Sequence, residues 1–149
     1  MKKRKKKRKG FTLIELLLVI VLISILAALI IPRFAGRSEK AKRAAADADI
    51  NANLAIALDL YELDNGNFPT TEQGLKALQT KPEIPPIPRS WQGPYIKQSS
   101  RLTDPWQNPY QYVSPGRQNP QSYDLFSKGP DSVEGTNDDI TNWMRENEQ

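Results

Sequence analysis

Two groups of carboxylates stand out among the residues able to do chemistry. The first is a lone acid, Glu15, inside residues 11–31, a run otherwise apolar except for Thr12 and Ser24. The second is Asp131-Ser-Val-Glu-Gly-Thr-Asn-Asp-Asp139, with four carboxylates in nine residues. The 149 residues include no His and no Cys. The commonest general base, the thiol nucleophile and the preferred ligands of zinc and copper are therefore all absent. No Gly-rich phosphate loop or carboxylate pair in a cleft context points to catalysis either. Binding and structural roles come before enzymatic ones.

Each carboxylate group has a physical requirement. A carboxylate in hydrocarbon costs about 2.5–3.5 kcal/mol by insertion scales, so Glu15 persists there only with a partner. The acidic loop repels itself and has little apolar content, which fits a solvated segment. A hard cation would reverse that, because calcium takes six to eight oxygens from carboxylates, carbonyls and water in flexible geometry. The spacing is not that of an EF-hand. Composition leaves both readings open.

The elements that must position these groups follow from periodicity. A helix of residues 11–31 is about 30 Å long, the thickness of a bilayer's hydrocarbon core. Residues 2–9 are all Lys or Arg, which keeps that end cytoplasmic and places the C-terminal part beyond the membrane. A nucleic-acid patch is the alternative for this block. The whole chain carries net +4, yet without residues 1–10 it holds 13 basic against 17 acidic residues, net −4. An acidic remainder makes a poor phosphate binder.

Pro32 is expected to kink the helix and Gly36 to loosen it. From residue 38 to about 64 no Pro or Gly intervenes, which predicts a continuing helix. Ile50, Leu54, Leu58 and Tyr61 fall on one stripe, and Ile56, Leu60 and Leu63 on another. Two apolar faces imply either two packing partners or one wrapped domain. Asn65-Gly66-Asn67 should end the helix. Thr70 with Gln73 reads as a capping box for a short helix carrying Leu75 and Leu78. Residues 81–94 hold five prolines and read as an extended loop. Runs at 93–97, 109–113 and 121–127 predict a small antiparallel sheet of three strands packed on the long helix. Trp91, Trp106 and Trp143 are expected to fill a modest core.

Lys9-Gly10-Phe-Thr-Leu-Ile-Glu15 resembles the class III signal of type IV pilins and pseudopilins. That resemblance implies cleavage after Gly10 by a prepilin peptidase, methylation of the new Phe11 amine, and pairing of Glu15 with a neighbouring subunit's amine during assembly. Further on, Asn67-Phe-Pro-Thr-Thr-Glu-Gln-Gly-Leu75, Gly93-Pro-Tyr-Ile-Lys97, Asp104-Pro-Trp-Gln-Asn-Pro-Tyr-Gln-Tyr112, Tyr123-Asp-Leu-Phe-Ser-Lys-Gly-Pro-Asp131 and Glu134-Gly-Thr-Asn-Asp-Asp-Ile-Thr-Asn-Trp143 resemble the major pseudopilins of type II secretion systems.

The implied fold is α+β and type IV pilin-like. A long N-terminal helix packs on a small antiparallel sheet, with a metal-binding loop near the C-terminus. The implied organisation is a cleaved leader at 1–10, a transmembrane and filament-core helix at 11–31, and a periplasmic domain at 32–149. The implied cofactor is calcium, held by side chains of Asp131, Asp138 and Asp139 and the carbonyl of Lys128. Pro130 stands where the family usually has Ala. The implied partners are copies of the chain itself, minor pseudopilins, the inner-membrane assembly platform and the prepilin peptidase, with membrane contact and no nucleic acid. The implied location is the bacterial inner membrane, single-pass. Two other functions compete: a type IV pilin of a surface fibre, and a monomeric, membrane-tethered periplasmic binding module.

Overall fold

Thr12 precedes a stretch of Leu, Ile, Val and Ala with no Gly before position 36, and a helix starts there. The computed structural model describes residues 10–144, with the side chains of 29–35 outside that description. Helix α1 spans Leu13–Ala48 and is unbroken through Pro32 and Gly36, so neither residue ends it. A five-residue π-helical turn, Asp49–Asn53, follows, and α2 runs Leu54–Asn65. Continuation to about residue 64 was expected; the π-turn was not. Gly66 closes α2 in the left-handed conformation, φ 81°, and its N–H donates to the Glu62 carbonyl at 2.7 Å. Glycine adopts that conformation without a Cβ penalty.

The chain divides into two units, Met1–Glu39 and Lys40–Gln149. In the first, every large apolar side chain from Phe11 to Leu26 is exposed. Among the described residues no helix is long and apolar enough to cross a membrane. The span expected at 11–31 includes residues 29–31, whose side chains lie outside the described ones, as does the basic block at 2–9.

In the second unit, Ile50, Leu54, Leu58 and Tyr61 are buried against Leu75, Leu78, Tyr110, Tyr112, Tyr123 and Leu125. Burying side chains such as Leu58, Leu78 and Leu125 stabilises the fold by about 2 kcal/mol each. The other stripe, Ile56, Leu60 and Leu63, remains 45–79% exposed. Two faces of one helix are therefore apolar and only one is covered within the unit. The tryptophans are half-buried rather than central. Trp91 donates to the Ala77 carbonyl at 3.0 Å, and Trp143 packs edge-on against Phe126.

The sheet is antiparallel, in the order β1 (Gln111–Val113), β2 (Asp124–Ser127), β3 (Ile140–Thr141). Tyr112 stands opposite Leu125, and Phe126 opposite Thr141. Two of the expected strands form, but residues 93–97 do not make a third. Pro94 has no N–H, and the N–H groups of Tyr95 and Ile96 both turn to the Leu78 carbonyl. The Gln79 side chain then holds the carbonyls of Lys97 and Ser100 at 3.2 and 2.7 Å. This segment clasps the end of a short 3-10 helix, Leu75–Leu78, and the third strand is Ile140–Thr141 instead. The reciprocal Thr70–Gln73 bonds form, at 3.1 and 3.3 Å, but around the turn before that helix, whose N-cap is Gly74 with no side-chain bond.

Candidate functional site

The N-terminal site is built by the start of α1. Gly10 and Phe11 precede the helix and are exposed. The Thr12 N–H donates to Glu15 Oε2 at 3.5 Å, and the Glu15 N–H donates to Thr12 Oγ1 at 3.3 Å. Reciprocal bonds of this kind make a capping box, which occupies helix-end donors that would otherwise be unpaired. Glu15 is thus placed in the first turn of the helix, bonded to Thr12.

The C-terminal site is the loop between β2 and β3. Gly129 and Gly135 adopt left-handed conformations, φ 63° and 89°, and so does Ser132, φ 60°. These bends fold the loop back so that Asp131 and Asp138 meet: the Asp131 N–H donates to Asp138 Oδ2 at 3.3 Å. A Cβ on Gly129 would lie 2.4 Å from the Asp138 carbonyl oxygen, so the two ends of the loop are in backbone contact there. Asp131 Oδ1 accepts from the Val133 N–H at 2.8 Å, and Asp139 Oδ2 from the Gly135 N–H at 2.8 Å. The Thr136 hydroxyl donates to Asp138 Oδ1 and, with smaller help from the Asp131 N–H, holds the Asp138 carboxyl below its ordinary value. Lys128 forms a long surface ion pair with Glu134, 3.9 Å, worth little on its own. From the helical side, Arg43 reaches the Asp138 carbonyl at 3.4 Å.

Asp131 and Asp138 are therefore brought together, whereas Asp139 faces the Gly135 N–H. Among the described residues no three Asp, Glu, His or Cys side chains converge to hold a metal ion. The donor set nonetheless fits calcium chemically. All its donors are oxygens, one carboxyl is held readily ionised, and the Gly129 contact brings the start of the loop against Asp138.

Asp104, Asn108 and Ser127, which the sequence shows only as parts of the motifs quoted above, also bear on this loop. Asp104 is almost fully buried and accepts from the N–H groups of Trp106 and Asn108 at 3.0 and 2.8 Å. The fully buried Ser127 hydroxyl donates to its other oxygen. An Asp followed by Pro and then Asn is a turn signature, and that signal was available. Its connection to a loop two dozen residues later was not.

The family profile described as type II secretion system (T2SS), protein G matches residues 33–143, and that of the prokaryotic N-terminal methylation motif matches residues 5–31. The type II secretion system core protein G of Aeromonas hydrophila is 50% identical over 141 residues, covering 94% of this chain and 95% of the relative. Its counterpart in Escherichia coli (strain K12) is 48% identical over 138 residues, covering 92% of each. Among solved structures, the major pseudopilin from the type 2 secretion system of enterohaemorrhagic Escherichia coli aligns with a TM-score of 0.62 at 46% identity. That alignment covers 72% of this chain and 87% of the other.

Proposed function

The chain belongs to the type II secretion system protein G family and is a structural subunit of the pseudopilus, and we propose that it is processed, anchored and polymerised as follows. A prepilin peptidase cuts the basic leader after Gly10 and methylates the new Phe11 amine. Residues 11–31 hold the subunit in the bacterial inner membrane, with residues 32–149 in the periplasm. Copies of the chain then assemble with minor pseudopilins on an inner-membrane platform, and the growing filament drives folded proteins across the outer membrane.

The observation that carries this reading is the joint presence of the methylation motif at 5–31 and the protein G profile at 33–143 in one chain. Glu15 supports it physically. Its carboxylate lies among exposed apolar side chains, where an incoming amine would neutralise it and fix the register of the next subunit. The uncovered stripe Ile56, Leu60 and Leu63 supports it too, since a neighbouring copy would remove that apolar surface from water. The calcium ion is proposed on the loop, held by Asp131, Asp138 and Asp139 and the carbonyl of Lys128. When bound it would neutralise the clustered acids and stiffen the subunit surface.

Replacing Glu15 with Val in a secreting cell tests the assembly role. Pseudopilus formation and export are expected to be abolished, while subunit levels in the membrane persist. Normal export by Glu15→Val would remove the pairing role and leave assembly to other contacts.

A further inference from the structure

Part of what holds the 128–139 loop lies outside it. Gly129 is gripped at both of its backbone polar groups. Its N–H donates to Ser127 Oγ at 3.1 Å, and its carbonyl accepts from Asn108 Nδ2 at 3.4 Å. Asn108 Nδ2 also donates to Ser132 Oγ at 2.9 Å, so one amide touches the chain on both sides of Asp131. Behind these contacts stands Asp104, 2% exposed, which takes the Ser127 hydroxyl on one oxygen and the Trp106 and Asn108 N–H groups on the other. The Asp104 N–H closes the turn on the Asn108 carbonyl at 2.8 Å.

These contacts form a continuous path from a buried carboxylate in the 104–108 turn to the first residues of the acidic loop. Gly129 is also where the loop's two ends touch, at the Asp138 carbonyl. Setting Gly129 therefore sets how Asp131, two residues on, stands relative to Asp138.

We infer that Asp104, Asn108 and Ser127 are positioning residues for a hard divalent cation on this loop, acting through Gly129 and Ser132 and not as ligands. The inference rests on the calcium reading above. Its physical basis is preorganisation: a loop already bent to shape loses less conformational freedom when an ion orders it. Residues that orient ligands from outside the coordination sphere commonly change metal affinity by about 10- to 100-fold when lost.

The test uses the full chain in detergent micelles. Calcium chloride titration calorimetry is run on the wild type and on Asn108→Ala, Ser127→Ala and Asp138→Ala, together with thermal unfolding of each in excess chelator. Asn108→Ala is expected to weaken calcium binding about tenfold or more, with its melting temperature in chelator close to wild type. Ser127→Ala is expected to weaken binding similarly, with some loss of stability because the site is buried. Wild-type affinity in Asn108→Ala, with binding lost in Asp138→Ala, would overturn the positioning role while leaving the calcium site intact. Lower stability with unchanged affinity would also overturn it, identifying a purely structural brace. Absence of binding by the wild type itself would show instead that the calcium reading had failed, and the inference with it.

Discussion

Two loops lie on either side of β2, both organised by carboxylates, and they are organised in opposite ways. Around residues 116–124 a single side chain gathers three backbone donors. Asp124, nearly buried, accepts the N–H groups of Arg117, Gln118 and Asn119 at 2.6, 2.9 and 3.0 Å. Its Oδ1 is so close to Gly116 that a Cβ there would lie 2.5 Å away. Around residues 128–139 four carboxylates share the work: Asp131 and Asp139 each accept one loop N–H, Asp138 takes an N–H and a hydroxyl, and Glu134 pairs with Lys128. The first loop has more donors than acids and is complete within the protein. The second has four carboxyls where the first has one, oxygens of the kind a hard cation takes. The difference teaches that carboxylate content alone does not identify an ion site; the donors each carboxylate already serves must be weighed beside it.

The largest expected effect attacks the first loop. Asp124→Ala leaves three backbone donors with no acceptor and should cost about 3 kcal/mol, read as a drop in melting temperature of the same size with calcium or with chelator. A drop repaired by calcium would mean that both loops depend on an ion, and the contrast would be lost. Next comes Asp138→Ala. It should remove a calcium-dependent gain of about 2.7 kcal/mol at an ion concentration 100 times the dissociation constant, with little change in chelator. Equal destabilisation in chelator would make the second loop as self-sufficient as the first.

The smallest effect concerns Thr136. The Asp138 carboxyl is held below its ordinary value of 3.8, chiefly by the Thr136 hydroxyl. A depressed carboxyl contributes stability that is present above the ordinary value and lost as pH falls through the folded one. Thr136→Val should move the Asp138 titration upward, as followed by carboxyl-carbon NMR. An unmoved titration would show that the hydroxyl does not set the charge of this loop.

Legibility in the sequence followed the range of the signals. Helix stops and turns are local: Gly66 ended α2 and the Thr70–Gln73 bonds formed where their neighbours indicated, although they close a turn and not the helix itself. The buried stripe of Ile50, Leu54, Leu58 and Tyr61 was equally readable, because a helix repeats its face every few residues. The strands were harder. Residues 93–97 carry strand-like composition, but their N–H groups are claimed by Leu78, a partner no local pattern reveals. Ile140 and Thr141 are too short a run to alternate, and they become a strand only because β2 lies beside them. At the candidate site, the acids were visible as a cluster. The Asp104, Asn108 and Ser127 brace was invisible because it is a contact between turns far apart in sequence.

The π-helical turn at Asp49–Asn53 bears on the angular phase of the helix. Residues four apart in an α-helix advance about 40° beyond a full turn. Ala46, Ile50, Leu54 and Leu58 are all buried and are separated by three such steps. In an uninterrupted α-helix they would fan out over about 120°, far enough to swing one end of the row out of the core. A π-turn, with its i→i+5 hydrogen bonds, is wound more slowly and subtracts rotation midway along the row. The insertion thus acts as a phase corrector for these four core residues. Because it turns the outer face by the same angle, it also fixes the direction in which Ile56, Leu60 and Leu63 point.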